Sequence, residues 1–121
     1  MSEHVGQAEI IVLGSRTVAD ISGPLFGQFL ELDGRCVNGG IYDPESPMAR
    51  PDGVRADVLE AIRQLRPTHI RYPGGCGASY FDWQELVGPR EGRPRAKLFR
   101  TTGGAQSTAF GIPEAWALCQ E

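Results

Sequence analysis

The stretch Thr68-His69-Ile70 followed by Arg71-Tyr72-Pro73-Gly74-Gly75-Cys76 limits the possible folds more than any other part of the chain. A short β-prone run ends in a cation and meets a breaker loop. Pro73 fixes φ and has no backbone donor. Gly74 and Gly75 open conformations closed to other residues and let a ligand approach the backbone. A second β-prone run, Leu25-Phe26-Gly27-Gln28-Phe29-Leu30-Glu31, ends in an acid. A helical pattern separates the two runs: Val54, Val58, Ile62 and Leu65 recur at helical spacing, with Ala61 beside them. Asp52 can cap that helix and Pro67 ends it. The unit is therefore β-loop-α-β, whose crossover implies parallel strands. An acid and a cation at the ends of parallel strands are how an α/β barrel builds its active face.

The remaining chain sorts around this unit. Residues 8–13 are β-branched and apolar, Gly14-Ser15 turns, and residues 16–21 alternate weakly, which predicts one or two strands. Residues 33–53 form a Gly/Pro-rich connection long enough to suggest function. Residues 73–111 read as irregular and include the aromatic cluster Tyr80-Phe81-Asp82-Trp83. Tyr80 and Trp83 suit either a flat ligand face or a core beneath a long loop. Pro113 suits the first turn of a final helix that runs to Glu121. Two parallel strands cannot close a barrel, which needs about 250 residues. Their edges need partners, from a longer protein or from another chain.

Composition excludes several classes. The net charge of −3 does not favour nucleic acid. The local cluster Arg90, Arg93, Arg95, Lys97 and Arg100 has interleaved Pro and Gly and reads as a solvated loop. Cys36, Cys76 and Cys119 are far apart and odd in number, without zinc spacing, so no disulfide framework or metal is expected. A reducing cytoplasm is the default. No basic-then-apolar leader opens the chain, and no apolar run approaches the roughly 20 residues of a membrane helix. Cys36 and Cys119 read as buried packing residues. Cys76 lacks a His placed to activate it, so a pocket-wall thiol fits better than a nucleophile. Gly74-Gly75 has no GK[ST] and is not a phosphate loop. By itself, Glu31 could be a ligand or an ordinary strand-end carboxylate, and Arg71 a site residue or a structural ion-pair partner.

Four motifs then occur in order: Phe26-Gly27-Gln28-Phe29-Leu30-Glu31, Gly34-Arg35-Cys36-Val37-Asn38-Gly39-Gly40-Ile41-Tyr42, Arg71-Tyr72-Pro73-Gly74-Gly75-Cys76 and Val87-Gly88-Pro89-Arg90-Glu91-Gly92-Arg93-Pro94. Together with Phe110-Gly111-Ile112-Pro113-Glu114, they resemble the N-terminal part of α-L-arabinofuranosidases of glycoside hydrolase family 51. The resemblance covers residues 8–121. It implies an α/β fold: the N-terminal part of a (β/α)8 TIM barrel, preceded by a strand of an accessory β-sandwich. Residues 1–21 would be the sandwich segment and residues 22–121 the first two β/α units.

The implied activity is hydrolysis, with retention, of terminal α-L-arabinofuranosyl residues from hemicellulose or pectin oligosaccharides. It implies no cofactor, no membrane and a possible homo-oligomer. The two catalytic glutamates of the family pattern fall beyond residue 121, so no catalytic residue is assigned and the chain alone is expected to be inactive. By resemblance, Glu31 accepts hydrogen bonds from furanose hydroxyls, Arg71 orients active-site carboxylates, and Cys76 stands where an Asn often touches the sugar. The chain departs from the pattern at Leu32, Asn38, Tyr72, Gln106 and Thr108, where His, an aromatic, Trp, Glu and Asn are common. A non-catalytic carbohydrate-binding piece and one half of a split enzyme are the alternatives.

Overall fold

The computed structural model describes residues 8–97 and 105–121. Strand β1 (Gln28–Phe29) leads through a long connection to helix α1 (Ala56–Leu65) and strand β2 (Ile70–Arg71). A second pair, β3 (Ala96–Lys97) and β4 (Ala105–Gln106), precedes helix α2 (Ile112–Leu118). β1 and β2 pair in parallel, with Gln28 opposite Ile70 and Phe29 opposite Arg71. The ladder runs further than the strands proper. Thr68 N–H donates to Phe26 O at 3.3 Å, Gln28 to His69 O at 2.8 Å, Leu30 to Arg71 O at 2.9 Å and Leu32 to Pro73 O at 2.6 Å. The expected parallel α/β unit is therefore present, with α1 in the crossover.

Period-2 alternation gives the sheet two different faces. Leu30 and Leu32 are buried, and Ile70 and Tyr72 pack beside them against the helical layer. Phe29 and Arg71 point the other way and are exposed. The centre of the core is Phe110, fully buried between two tyrosines: its ring centroid lies 5.8 Å from that of Tyr42 and 5.9 Å from that of Tyr72. Tyr72 also donates its hydroxyl to Phe110 O at 2.6 Å, so β2 is fastened directly to the segment entering α2.

The 33–53 connection is part of the core. Val37, Ile41 and Tyr42 are buried. Tyr42 bridges to Val54, and Ala49 to Arg55, both antiparallel. The helix beyond it departs in detail from its sequence reading. Leu59 is the buried residue of α1, flanked by partly buried Val58 and Ile62, whereas Leu65 is 66% exposed and Ala61 is exposed as well. At 100° per residue, the buried stripe runs from Leu59 through Ile62 to Val58, and Leu65 falls just past the Val58 edge, as the last residue of the helix. Asp52 caps a turn instead of the helix: its Oδ1 accepts from Val54 N–H at 3.0 Å, and the N-cap position is Arg55. The helix stops where Pro67 disfavours helical backbone at Arg66, which takes a left-handed φ of 49°.

Other expectations are corrected. Residues 8–21 form a turn at Gly14-Ser15 but no strand among the described residues. Ile10, Val12 and Val18 are 87–90% exposed, because a β-prone run without a neighbouring strand has nothing to pair with. Residues 73–111 are not wholly irregular: Ala96 pairs with Gln106 and Lys97 with Ala105 in an antiparallel ladder. Helix α2 ends at Leu118, short of Glu121. Cys36 and Cys119 are exposed, Cys36 in a turn and Cys119 at the end of α2. No described helix is long and apolar enough to cross a membrane.

Candidate functional site

Glu31 follows β1 with the parity of Phe29, so its side chain leaves the sheet on the face that the helices do not cover. It is half-buried, and the cover comes from the glycine loop after β2. Glu31 Oε1 accepts from Gly75 N–H at 3.0 Å and from Gly77 N–H at 3.5 Å. The loop can reach this close only because Gly74 lacks a side chain. A Cβ there would lie 2.4 Å from Glu31 Cγ and 2.9 Å from its Cα, and φ is +139°. Two constraints thus meet at one residue: a backbone region L residues rarely adopt and a contact with no room for a methyl group. The result is a carboxylate with one oxygen fixed by the backbone and the other without a hydrogen bond among the described residues.

Arg71 ends β2 on the same open face. Its guanidinium lies 4.4 Å from the centroid of the Phe29 ring, directly across the ladder. Arg71 is exposed, and among the described residues it makes no ion pair. Cys76 opens a 3-10 turn (Cys76–Tyr80), but its side chain lies outside the described residues, as does that of Tyr80. Trp83 is 64% exposed and Phe81 packs against the core. Among the described residues no group of His, Cys, Asp and Glu could hold a metal ion. A groove of about 300 Å³ opens at the other end of β2 beside Thr68, His69, Arg63 and Leu118, and none of the candidate residues lines it.

The solvated-loop reading of the basic cluster fails at Arg93 and Arg90. The Arg93 side chain is only 3% exposed. It donates to Gly88 O at 3.1 and 2.8 Å, to Thr108 O at 3.1 Å, and to both oxygens of Glu114 at 2.7 and 3.1 Å. Arg90 adds a contact to Glu114 at 3.4 Å and lies 5.5 Å from the Tyr42 ring centroid. Arg100 and the Lys97 side chain lie outside the described residues. Two residues that depart from the family pattern meet here as well: Asn38 Nδ2 donates to Gln106 Oε1 at 2.9 Å and to Ser107 O at 3.0 Å. Thr108 is buried and donates to Pro94 O at 2.5 Å. These bonds tie the connection after β1 to the one after β2, around the loops that carry the site.

Glu114 also accepts from Gly111 N–H at 2.8 Å, which satisfies a free donor at the start of α2. Burial pushes its carboxyl up, but the hydrogen bonds from Arg93 and from Gly111 N–H outweigh that and hold it below the usual value of 4.5. A folded-state pKa below the unfolded one gives stability that is present in full above about pH 4.5 and lost as pH falls through the lowered value. Urea midpoints should therefore drop between pH 5 and pH 3, and Glu114→Gln should flatten that acid limb. An unchanged limb would contradict the assignment.

The Alpha-L-arabinofuranosidase 1 domain family matches residues 61–121. An exo-α-(1→6)-L-arabinofuranosidase of Bifidobacterium longum is 40% identical over 94% of this chain and 23% of its own length. An intracellular exo-α-(1→5)-L-arabinofuranosidase of Streptomyces lividans is 43% identical over 81% of this chain and 15% of its own. Among solved structures, a family 51 α-L-arabinofuranosidase from Bifidobacterium longum superposes with a TM-score of 0.77 at 41% identity, over 85% of this chain and 20% of that one. The thermostable family 51 enzyme of Thermotoga petrophila gives 0.78 at 34% identity, over 88% and 22%. The chain thus spans less than a quarter of the curated relatives it matches. A parallel β-α-β unit with an acid and an arginine at its strand ends, together with these matches, places the chain in the α-L-arabinofuranosidase family, glycoside hydrolase family 51.

Proposed function

We propose that this chain supplies the sugar-holding part of a retaining α-L-arabinofuranosidase acting on terminal α-L-arabinofuranosyl residues of hemicellulose or pectin oligosaccharides. The observation that carries the reading is Glu31, held by the Gly75 and Gly77 amides on the open sheet face beside Arg71. Its free oxygen can accept charge-assisted hydrogen bonds from furanose hydroxyls. Arg71, stacked but without an ion pair among the described residues, is available to orient carboxylates brought against this face. Cys76, which opens the turn beyond Gly75, would line the same pocket.

In this reading residues 22–121 are the first two β/α units of a (β/α)8 barrel, and residues 1–21 add a strand to an accessory β-sandwich. The exposed apolar side chains of residues 8–21 and the uncovered sheet face fit surfaces made to be covered. The acid/base and nucleophile glutamates of such an enzyme would be supplied by other barrel strands, on the same polypeptide or on a partner. They need a separation of about 5–5.5 Å for retention. A cytoplasmic setting accords with relatives described as intracellular.

Calorimetric titration with methyl α-L-arabinofuranoside tests the reading. Glu31→Gln keeps an acceptor for Gly75 but removes the charge. It should weaken binding about 10- to 100-fold, the range for losing a hydrogen bond to a charged group. Equal affinity in the two proteins would exclude Glu31 as the sugar ligand.

A further inference from the structure

We infer that Phe29 is a positioning residue that sets both polar groups of the open face. Phe29 sits directly opposite Arg71 in the parallel ladder and two residues before Glu31, so all three side chains leave the sheet on one side. The Arg71 guanidinium lies 4.4 Å from the ring centroid, within the range where the ring's negative face attracts a cation. The far edge of the same ring leaves Gly75 little room for a side chain: a Cβ there would lie 3.3 Å from Phe29 Cζ and 3.4 Å from Glu31 Oε1. One ring thus supports the guanidinium and underlies the residue whose amide fixes the carboxylate.

The ring is not there to fill the core. Phe29 is 44% exposed and lies on the opposite face from Leu30 and Leu32. An exposed aromatic side chain between an arginine and a glycine loop makes sense as a support. It limits a long flexible side chain to one orientation and keeps the loop from settling onto the strand. The inference rests on the sugar-binding reading for its purpose, but its geometry can be tested without sugar.

The experiment compares the 121-residue chain with its Phe29→Leu and Phe29→Tyr variants. Leucine keeps apolar bulk without a π face, and tyrosine restores the face. The first readout is the NMR signal of the Arg71 Nε–H, which ring currents shift upfield when the guanidinium stacks. The shift should be present in the parent and in Phe29→Tyr, and lost in Phe29→Leu. Leu30 and Leu32 methyl signals should stay in place in all three, showing an intact core. The second readout is affinity for methyl α-L-arabinofuranoside, expected to fall about fivefold in Phe29→Leu and to stay within about twofold in Phe29→Tyr. An Arg71 signal unaffected by Phe29→Leu overturns the inference, and so does an affinity loss that tyrosine does not restore. If the parent binds no arabinofuranoside, the sugar reading fails by itself, and the Arg71 signal alone decides whether Phe29 positions it.

Discussion

Replacing Arg93 by alanine is expected to destabilise the fold by about 3–5 kcal/mol, the range for breaking a buried ion pair from one side. The Arg93 side chain is 3% exposed, and that of its partner Glu114 is 14% exposed. Removing it leaves a carboxylate in poor contact with water and strips hydrogen bonds from Gly88 O and Thr108 O. A domain whose whole stability is about 5–15 kcal/mol has little margin for that loss. Lysine should rescue only in part, because one ammonium cannot reproduce a planar fork that reaches both carboxylate oxygens and two backbone segments. Arg63→Ala is the control. Arg63 pairs with Glu121 at 3.0 Å, but it is 47% exposed, and surface pairs of that kind contribute up to about 1 kcal/mol. Urea denaturation followed by circular dichroism should separate the two variants clearly. Equal midpoints would show that Arg93 does not brace the fold.

Alanine at Gly74 should act on the site most strongly. The added methyl would sit 2.4 Å from Glu31 Cγ, and the backbone would carry a side chain at φ +139°. Either the loop lifts or Glu31 leaves its rotamer, and both break the bond from Gly75 N–H. Affinity for an arabinofuranoside should fall about 100-fold, as expected when a charged acceptor is displaced. Strain should lower stability by about 1–3 kcal/mol. Gly88→Ala separates strain from displacement: Gly88 also has positive φ, +82°, but its Cβ would meet nothing within 4 Å. It should lose stability modestly and leave affinity unchanged. Equal affinity in Gly74→Ala and the parent would mean that the loop does not set the ligand-binding carboxylate.

The parallel unit was legible because its signals are local. A β-branched run, an acid or a cation at its end, a helical stripe between, and Pro-Gly-Gly after it need no tertiary information. The place of Glu31 and Arg71 at the ends of the two strands was legible by the same logic, since strand ends are where a parallel sheet displays polar groups. Cys76 remains an expectation of the family resemblance. What stayed hidden depends on distant contacts. Nothing local distinguishes Arg93 from Arg95, which is exposed. The burial of Arg93 depends on Glu114 and on carbonyls far along the chain. Phe29 read as one more apolar strand residue, although its parity with Glu31 already placed it on the open face. The strand expected at residues 8–21 has apolar side chains but no neighbour here, and propensity alone does not make a ladder. Leu59 was overlooked because the helical stripe was drawn through Val58 and Leu65.

A ¹⁵N-edited NMR titration of the chain with methyl α-L-arabinofuranoside distinguishes the two ends of the sheet. The Gly75 and Gly77 amides and the Arg71 side chain should shift together and saturate, while residues lining the groove at Thr68 and His69 stay still. Shifts confined to that groove, with Gly75 unmoved, would contradict the placement of the sugar at Glu31.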